Sequence, residues 1–168
     1  WRVQTKGIVP DYSDWSVLRT VDVYAKPSMD LAVTDNDGVG IDMLTAFPIN
    51  IKAVTYPKTQ KPVGYHLTVI ANESYETVDS IGNVKMVSKD SEVYRGFFDI
   101  STDLEYVLSA GNIDLENNIS YTVKCIAAMN SGLTAEATHS FTVGWGDYEG
   151  YEPEVELTLN EGDYSMTI

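Results

Sequence analysis

The sequence predicts an all-β protein, and three observations carry that expectation. From Tyr121 to Met129 the residues Tyr121, Val123, Cys125, Ala127 and Met129 alternate with Thr122, Lys124, Ile126 and Ala128, which is the period of a half-buried strand. Asn130-Ser131-Gly132 then supplies turn chemistry, and Leu133, Ala135, Ala137, His139, Phe141, Val143 and Trp145 alternate with Thr134, Glu136, Thr138, Ser140 and Thr142. The two runs predict a hairpin. Composition agrees: eleven Tyr and three Trp stand beside few helix-favouring apolar runs.

The remaining elements follow in order. Trp1, Val3 and Thr5 alternate until Gly7-Ile8-Val9-Pro10 breaks the run; a second strand opens at Trp15-Ser16, continues through Val17, Val21 and Val23, and closes at Ala25-Lys26-Pro27. Met29, Leu31 and Val33 form a strand turned at Asp35-Asn36-Asp37-Gly38. Phe47, Ile49, Ile51 and Ala53 alternate with Pro48, Asn50 and Lys52. After the loop from Pro57 to Pro62, Val63, Tyr65, Leu67 and Val69 are expected on one face. Strands are also expected at Val84–Val87 and Val93–Phe98, and Leu104–Leu108 reads as a strand or one helical turn. Beyond Trp145 lies an acidic, glycine-rich linker, followed by alternating runs at Glu154–Leu159 and Tyr164–Ile168.

Length and charge narrow the function classes. A chain of 168 residues can hold one ordinary domain with additional pieces. No apolar segment of 18 residues exists and the first residues lack a signal-peptide pattern, so no membrane insertion is expected. The net charge of −14 argues against nucleic acid as a partner, because phosphate neutralisation needs clustered Lys and Arg. One cysteine excludes an intrachain disulfide, and the place of Cys125 on the inward pattern makes it a small core hydrophobe.

Leu115 six residues before Tyr121, small or β-branched residues at every second position after it, and Gly132 eleven residues beyond resemble the sixth-strand region of fibronectin type III domains. The resemblance implies a fibronectin III/immunoglobulin-like antiparallel β-sandwich. In it Leu115 packs under the corner before the strand, and Tyr121 is the corner tyrosine, its ring in the core and its hydroxyl bonded to backbone a few residues upstream. Ala53 and Val54 stand where the family carries a Trp, so Tyr65 and Phe97 are expected to fill the core instead. One complete module over residues 25–145 is then flanked by the last two strands of a preceding sandwich at 1–24, and by a linker and the first strands of a following sandwich at 146–168. The sequence of strand, linker, proline and alternating strand recurs around Pro27 and Pro153, as in a tandem array. Donation of the terminal strands between neighbouring chains is the second reading of the same pattern.

Motifs for chemistry are sparse. Asp35, Asp37 and Asp42, with Gly38 and Gly40 between them, resemble the start of a calcium loop, since a hard cation needs several closely spaced oxygens. The twelfth position from Asp35 is Ala46 rather than a bidentate acid, so the favoured reading is a glycine-containing turn and no metal. His66 and His139 lie on strands without zinc-ligand spacing and read as satisfied structural histidines. No Gly-x-Ser-x-Gly setting occurs, so no catalytic residue, enzymatic activity or cofactor is expected. Asn72-Glu73-Ser74 and Asn118-Ile119-Ser120 match glycosylation acceptors. Tyr12, Trp15, Tyr148 and Tyr151, near the two junctions, are candidate aromatics for a module interface or for stacking on sugar rings.

The runs Leu108-Ser-Ala-Gly-Asn-Ile-Asp-Leu-Glu-Asn and Met129-Asn-Ser-Gly-Leu-Thr-Ala are similar to modules of tailed-bacteriophage virion proteins, over residues 105–168 and more weakly 1–60. That resemblance implies a structural and display role in a tail, baseplate or capsid fibre, an extracellular virion location, and neighbouring modules or subunits as partners, with a host-surface glycan or protein at the tip. The alternative is an accessory carbohydrate-binding or spacer module of a secreted or cell-surface bacterial enzyme or adhesin.

Overall fold

A computed structural model describes residues 2–4, 15–17, 19–20, 22–78 and 81–146. Its strands are β1 (Ser28–Thr34), β2 (Met43–Leu44), β3 (Ile49–Tyr56), β4 (Pro62–Ala71), β5 (Tyr75–Val78), β6 (Val84–Val87), β7 (Glu92–Phe98), β8 (Leu104–Leu108), β9 (Ser120–Met129) and β10 (Thr134–Val143). Three strands form one sheet in the order β1-β3-β8, five form a second in the order β2-β10-β9-β4-β7, and β5 pairs with β6 alone. All the ladders are antiparallel except the short parallel one between β2 and β10. The arrangement is an immunoglobulin-like β-sandwich without helices among the described residues.

The alternation in the sequence decides which side chains enter the core. On β9, Tyr121, Val123, Cys125, Ala127 and Met129 are buried while Thr122, Lys124, Ile126 and Ala128 face outward. They meet Leu67 and Val69 of β4 within the same sheet and Ile49, Ile51, Leu104 and Leu108 from the opposite one, all in a single buried cluster. Each such aliphatic side chain removed from water contributes about 1.5–3 kcal/mol. The sandwich therefore rests on period 2 maintained across several strands.

Two expectations about faces are corrected. Val63 shares its parity with Tyr65, Leu67 and Val69 but is 54% exposed, because Pro62 and Gly64 pair with consecutive residues Met129 and Ala128 and leave Val63 as an unpaired extra residue. Phe97 was expected in the core and is 70% exposed; it stands opposite His66 on the outer face, and its neighbour Phe98 points inward to pack beside Tyr106. Leu104–Leu108 is a strand, with Leu104 and Leu108 buried. The β5–β6 hairpin accounts for the length between β4 and β7, and β2, which had no signal in the sequence, caps the edge of β10.

Burial also sets the protonation of the core. Desolvation pushes the Cys125 thiol up to about 11 and raises the hydroxyls of Tyr65 and Tyr121 above their ordinary range. These acids ionise at lower pH in the unfolded chain than in the folded one, so their contribution to stability is complete below about pH 9 and is lost as pH rises toward the folded values. Urea denaturation across pH 8 to 11 is expected to show a falling midpoint, and Cys125 is expected to resist a thiol reagent at pH 8 until denaturant is added.

Candidate functional site

The chain enters and leaves the sandwich at opposite ends, and the side chains at both ends are fixed. Ser28 pairs with Tyr56, which places the start of β1 beside the loop after β3. There the buried Gln60 donates from Nε2 to the Ala25 carbonyl at 2.6 Å and accepts at Oε1 from Ser131 Oγ at 2.6 Å. Lys61 and Asn130 exchange backbone and side-chain bonds beside it. One amide thus joins the incoming chain, the β3–β4 loop and the β9–β10 turn, in which Gly132 takes φ of 81°.

At the other end Thr142 pairs with Ser120, so β10 finishes beside the start of β9. Trp145 leans on Phe47 with ring centroids 5.2 Å apart, donates from its indole nitrogen to the Leu115 carbonyl at 3.2 Å, and donates its backbone N–H to Asn117 Oδ1 at 2.9 Å. Leu115 is buried and Glu116 N donates to the Tyr121 hydroxyl at 2.9 Å, so Leu115, Tyr121 and Trp145 form one fixed corner. Asn117 supplies the acceptor that holds the outgoing chain. β9 spans the distance between the two ends, about 30 Å for ten extended residues.

The acidic loop is organised by its own backbone. Asp35 Oδ1 accepts from Asp37 N at 2.9 Å and from Val39 N at 2.8 Å, the Asp35 carbonyl accepts from Asn50 Nδ2 at 2.8 Å, and Gly38 takes φ of 78°. Asp42 contributes its backbone carbonyl to Thr142 N at 3.0 Å. No group of three or more metal-ligating side chains is assembled among the described residues.

Of the four junction aromatics, Trp15 is 58% exposed, and Tyr12, Tyr148 and Tyr151 lie outside the described residues. Ser16 and Val3 bond to each other through backbone and hydroxyl, pairing the two segments expected as strands. His139 Nε2 lies 2.6 Å from the Ile41 carbonyl, and His66 Nε2 is buried with no hydrogen-bond partner among the described residues. Asn72 is spent on the β4–β9 end: its amide donates to Ser120 Oγ at 3.0 Å and accepts from Thr122 Oγ1 at 2.9 Å. Asn118 takes φ of 62° in the corner.

The β5–β6 hairpin bounds a groove that sequence reasoning missed. Its inner residues dock on the corner, Thr77 Oγ1 donating to Glu116 and the Tyr75 ring standing edge-on to Tyr121 at 6.1 Å. Between the hairpin, the start of β7 and the loop around Ile113 and Asp114 lies an open groove of about 620 Å³. Val78 and Val84, opposite one another, and Met86 are largely exposed, as is Ile81. The strand at Val84–Val87 is legible in the sequence; that at Tyr75–Val78, and the placing of the hairpin off the two larger sheets, is not, because nothing local specifies which sheet a short strand joins.

No family model and no curated protein matches the sequence. Among solved structures the fold is similar to Spo0M, a sporulation control protein from Bacillus subtilis, at TM-score 0.39 and 9% identity over 72% of this chain and 50% of that one. It is also similar to a superoxide reductase (neelaredoxin) from Ignicoccus hospitalis, at TM-score 0.37 and 15% identity over 70% and 79% of the two chains. A cohesin module of a family 33 glycoside hydrolase from Clostridium perfringens matches at TM-score 0.33 and 9% identity over 72% and 98%. The chain spans about half the length of the Spo0M chain.

Tyr121→Phe is expected to cost about 1–3 kcal/mol in chemical denaturation, since it strands the Glu116 N–H without its acceptor. Asp35→Ala is expected to cost about 1 kcal/mol by the loss of two N–H bonds, with the same midpoint in calcium and in chelator. A calcium-dependent rise in the parent midpoint, abolished by that substitution, would instead make the loop a cation site.

Proposed function

We propose that this chain is a structural and display module of an extended multi-domain protein, built to be linked in series, with no catalysis of its own. The observation that carries the reading is the placement of entry and exit at opposite ends of the sandwich, with Gln60 holding the incoming chain and Trp145 held as the chain departs. Modules connected this way propagate along one axis. The mechanism is geometric: a stiff body sets the distance between its neighbours, and copies in an array multiply weak contacts.

The corner residues support a fibronectin type III module in particular, and the similarity of the runs around Leu108 and Met129 to phage virion modules favours a tail, baseplate or capsid fibre. In that setting the partners are neighbouring modules or subunits. The exposed Val78, Val84 and Met86 on the hairpin, which springs from the same end as Trp145, give the next body an apolar seat.

Immunogold labelling with antibodies against the 25–145 module is expected to decorate assembled particles at a regular position. Recovery only as free soluble protein overturns the assembly role. Saturable quenching of Trp15 fluorescence by oligosaccharides, lost in Trp15→Ala, would transfer the reading to the adhesin or carbohydrate-binding alternative.

A further inference from the structure

We infer that the free edge of β7 is a homotypic interface, at which a second copy of this chain adds its own β7 antiparallel and joins two five-stranded sheets into one. The inference concerns a surface of the module itself and stands whether or not the virion reading holds. Among the described residues β7 ends the five-stranded sheet, so one row of its backbone donors and acceptors has no described strand beside it. Its pairing with β4 leaves Val93 as an extra residue between Glu92 and Tyr94, which confines regular edge geometry to Tyr94-Arg95-Gly96-Phe97-Phe98.

That five-residue segment is complementary to itself. With a two-fold axis at Gly96, Arg95 of each copy stands opposite Phe97 of the other on the outer face, and Tyr94 stands opposite Phe98 on the inner face. Directly opposed residues have Cβ atoms about 4.5–5.5 Å apart, within the reach of a guanidinium over a ring. Phe97 is ready for this contact: one face lies parallel to the His66 imidazole at 4.4 Å with 3° between the planes, and the ring is 70% exposed. Arg95 is held along the strand by Glu92, with its guanidinium on the outer side. On the inner side Tyr94 donates to the Tyr106 hydroxyl at 2.8 Å, so the pair to be extended is already fixed.

Charge selects this edge over the other edges of the two larger sheets. The net charge of −14 makes two copies repel, and an interface must avoid facing acids. Tyr94–Phe98 contains no carboxylate and one cation. β1 presents Asp30 among the small residues Ser28 and Ala32, β8 presents Glu105 tied to Lys52, and β2 has two residues. None of them carries an exposed aromatic matched to a cation.

Light scattering over a wide concentration range is expected to show a reversible dimer, and amide exchange to slow with concentration at alternate positions within Tyr94–Phe98. Phe97→Ala and Arg95→Glu are each expected to raise the dissociation constant about tenfold or more, with thermal midpoints unchanged at concentrations where the parent is monomeric, because both side chains are exposed. Phe97→Glu is expected to retain association by facing Arg95 of the partner with a carboxylate. A monomer at every concentration overturns the inference, as does a dimer indifferent to Phe97→Ala and Arg95→Glu but lost in Val84→Asp, which would place the contact on the hairpin.

Discussion

The hydrogen bond from the Glu116 N–H to the Tyr121 hydroxyl is the constraint on which the rest of the sandwich depends. The chain must cross from the three-stranded sheet to the middle of the five-stranded one between β8 and β9. A connection of that kind carries backbone groups past the core, where an unpaired one is costly. Tyr121 answers with a ring in the core and an oxygen at its boundary. Trp145, Leu115 and Tyr75 are then assembled around it, so the corner, the departing chain and the inserted hairpin share one anchor.

What could be read from the sequence followed from how far each signal is local. The β9–β10 hairpin was legible because its alternation is long and its turn has Gly132 at a position that needs positive φ. The corner was legible through the resemblance of the Leu115–Tyr121 spacing to the sixth-strand region of fibronectin type III domains. Val63 and Phe97 were misplaced for different reasons: parity along a strand holds only until a bulge resets it, and a missing core Trp does not say which neighbouring ring fills its place. Pro62 opposite Met129 resets the first, and Phe97-Phe98 offers two rings of which one alone can face inward. The parallel bridge of Met43–Leu44 to β10 had no sequence signature, since two residues define no period.

The candidate sites divide in the same way. Asp35 was legible as a loop acid, but whether a carboxylate serves a cation or its own backbone depends on where the neighbouring N–H groups point; here two point at it. The clasp made by Gln60 had no signal, because a long polar side chain at a loop becomes informative only when three segments that lie far apart in sequence converge on it.

That clasp, with the corner at the far end, has a mechanical consequence. A pull applied between Ala25 and Trp145 runs along the strands, so it loads the seven register pairs between β1 and β3 and the nine between β10 and β9 in shear. In shear the bonds of a ladder share the load, whereas in peeling they open one after another. The fold therefore yields late under tension along its own axis and early under a force directed across it.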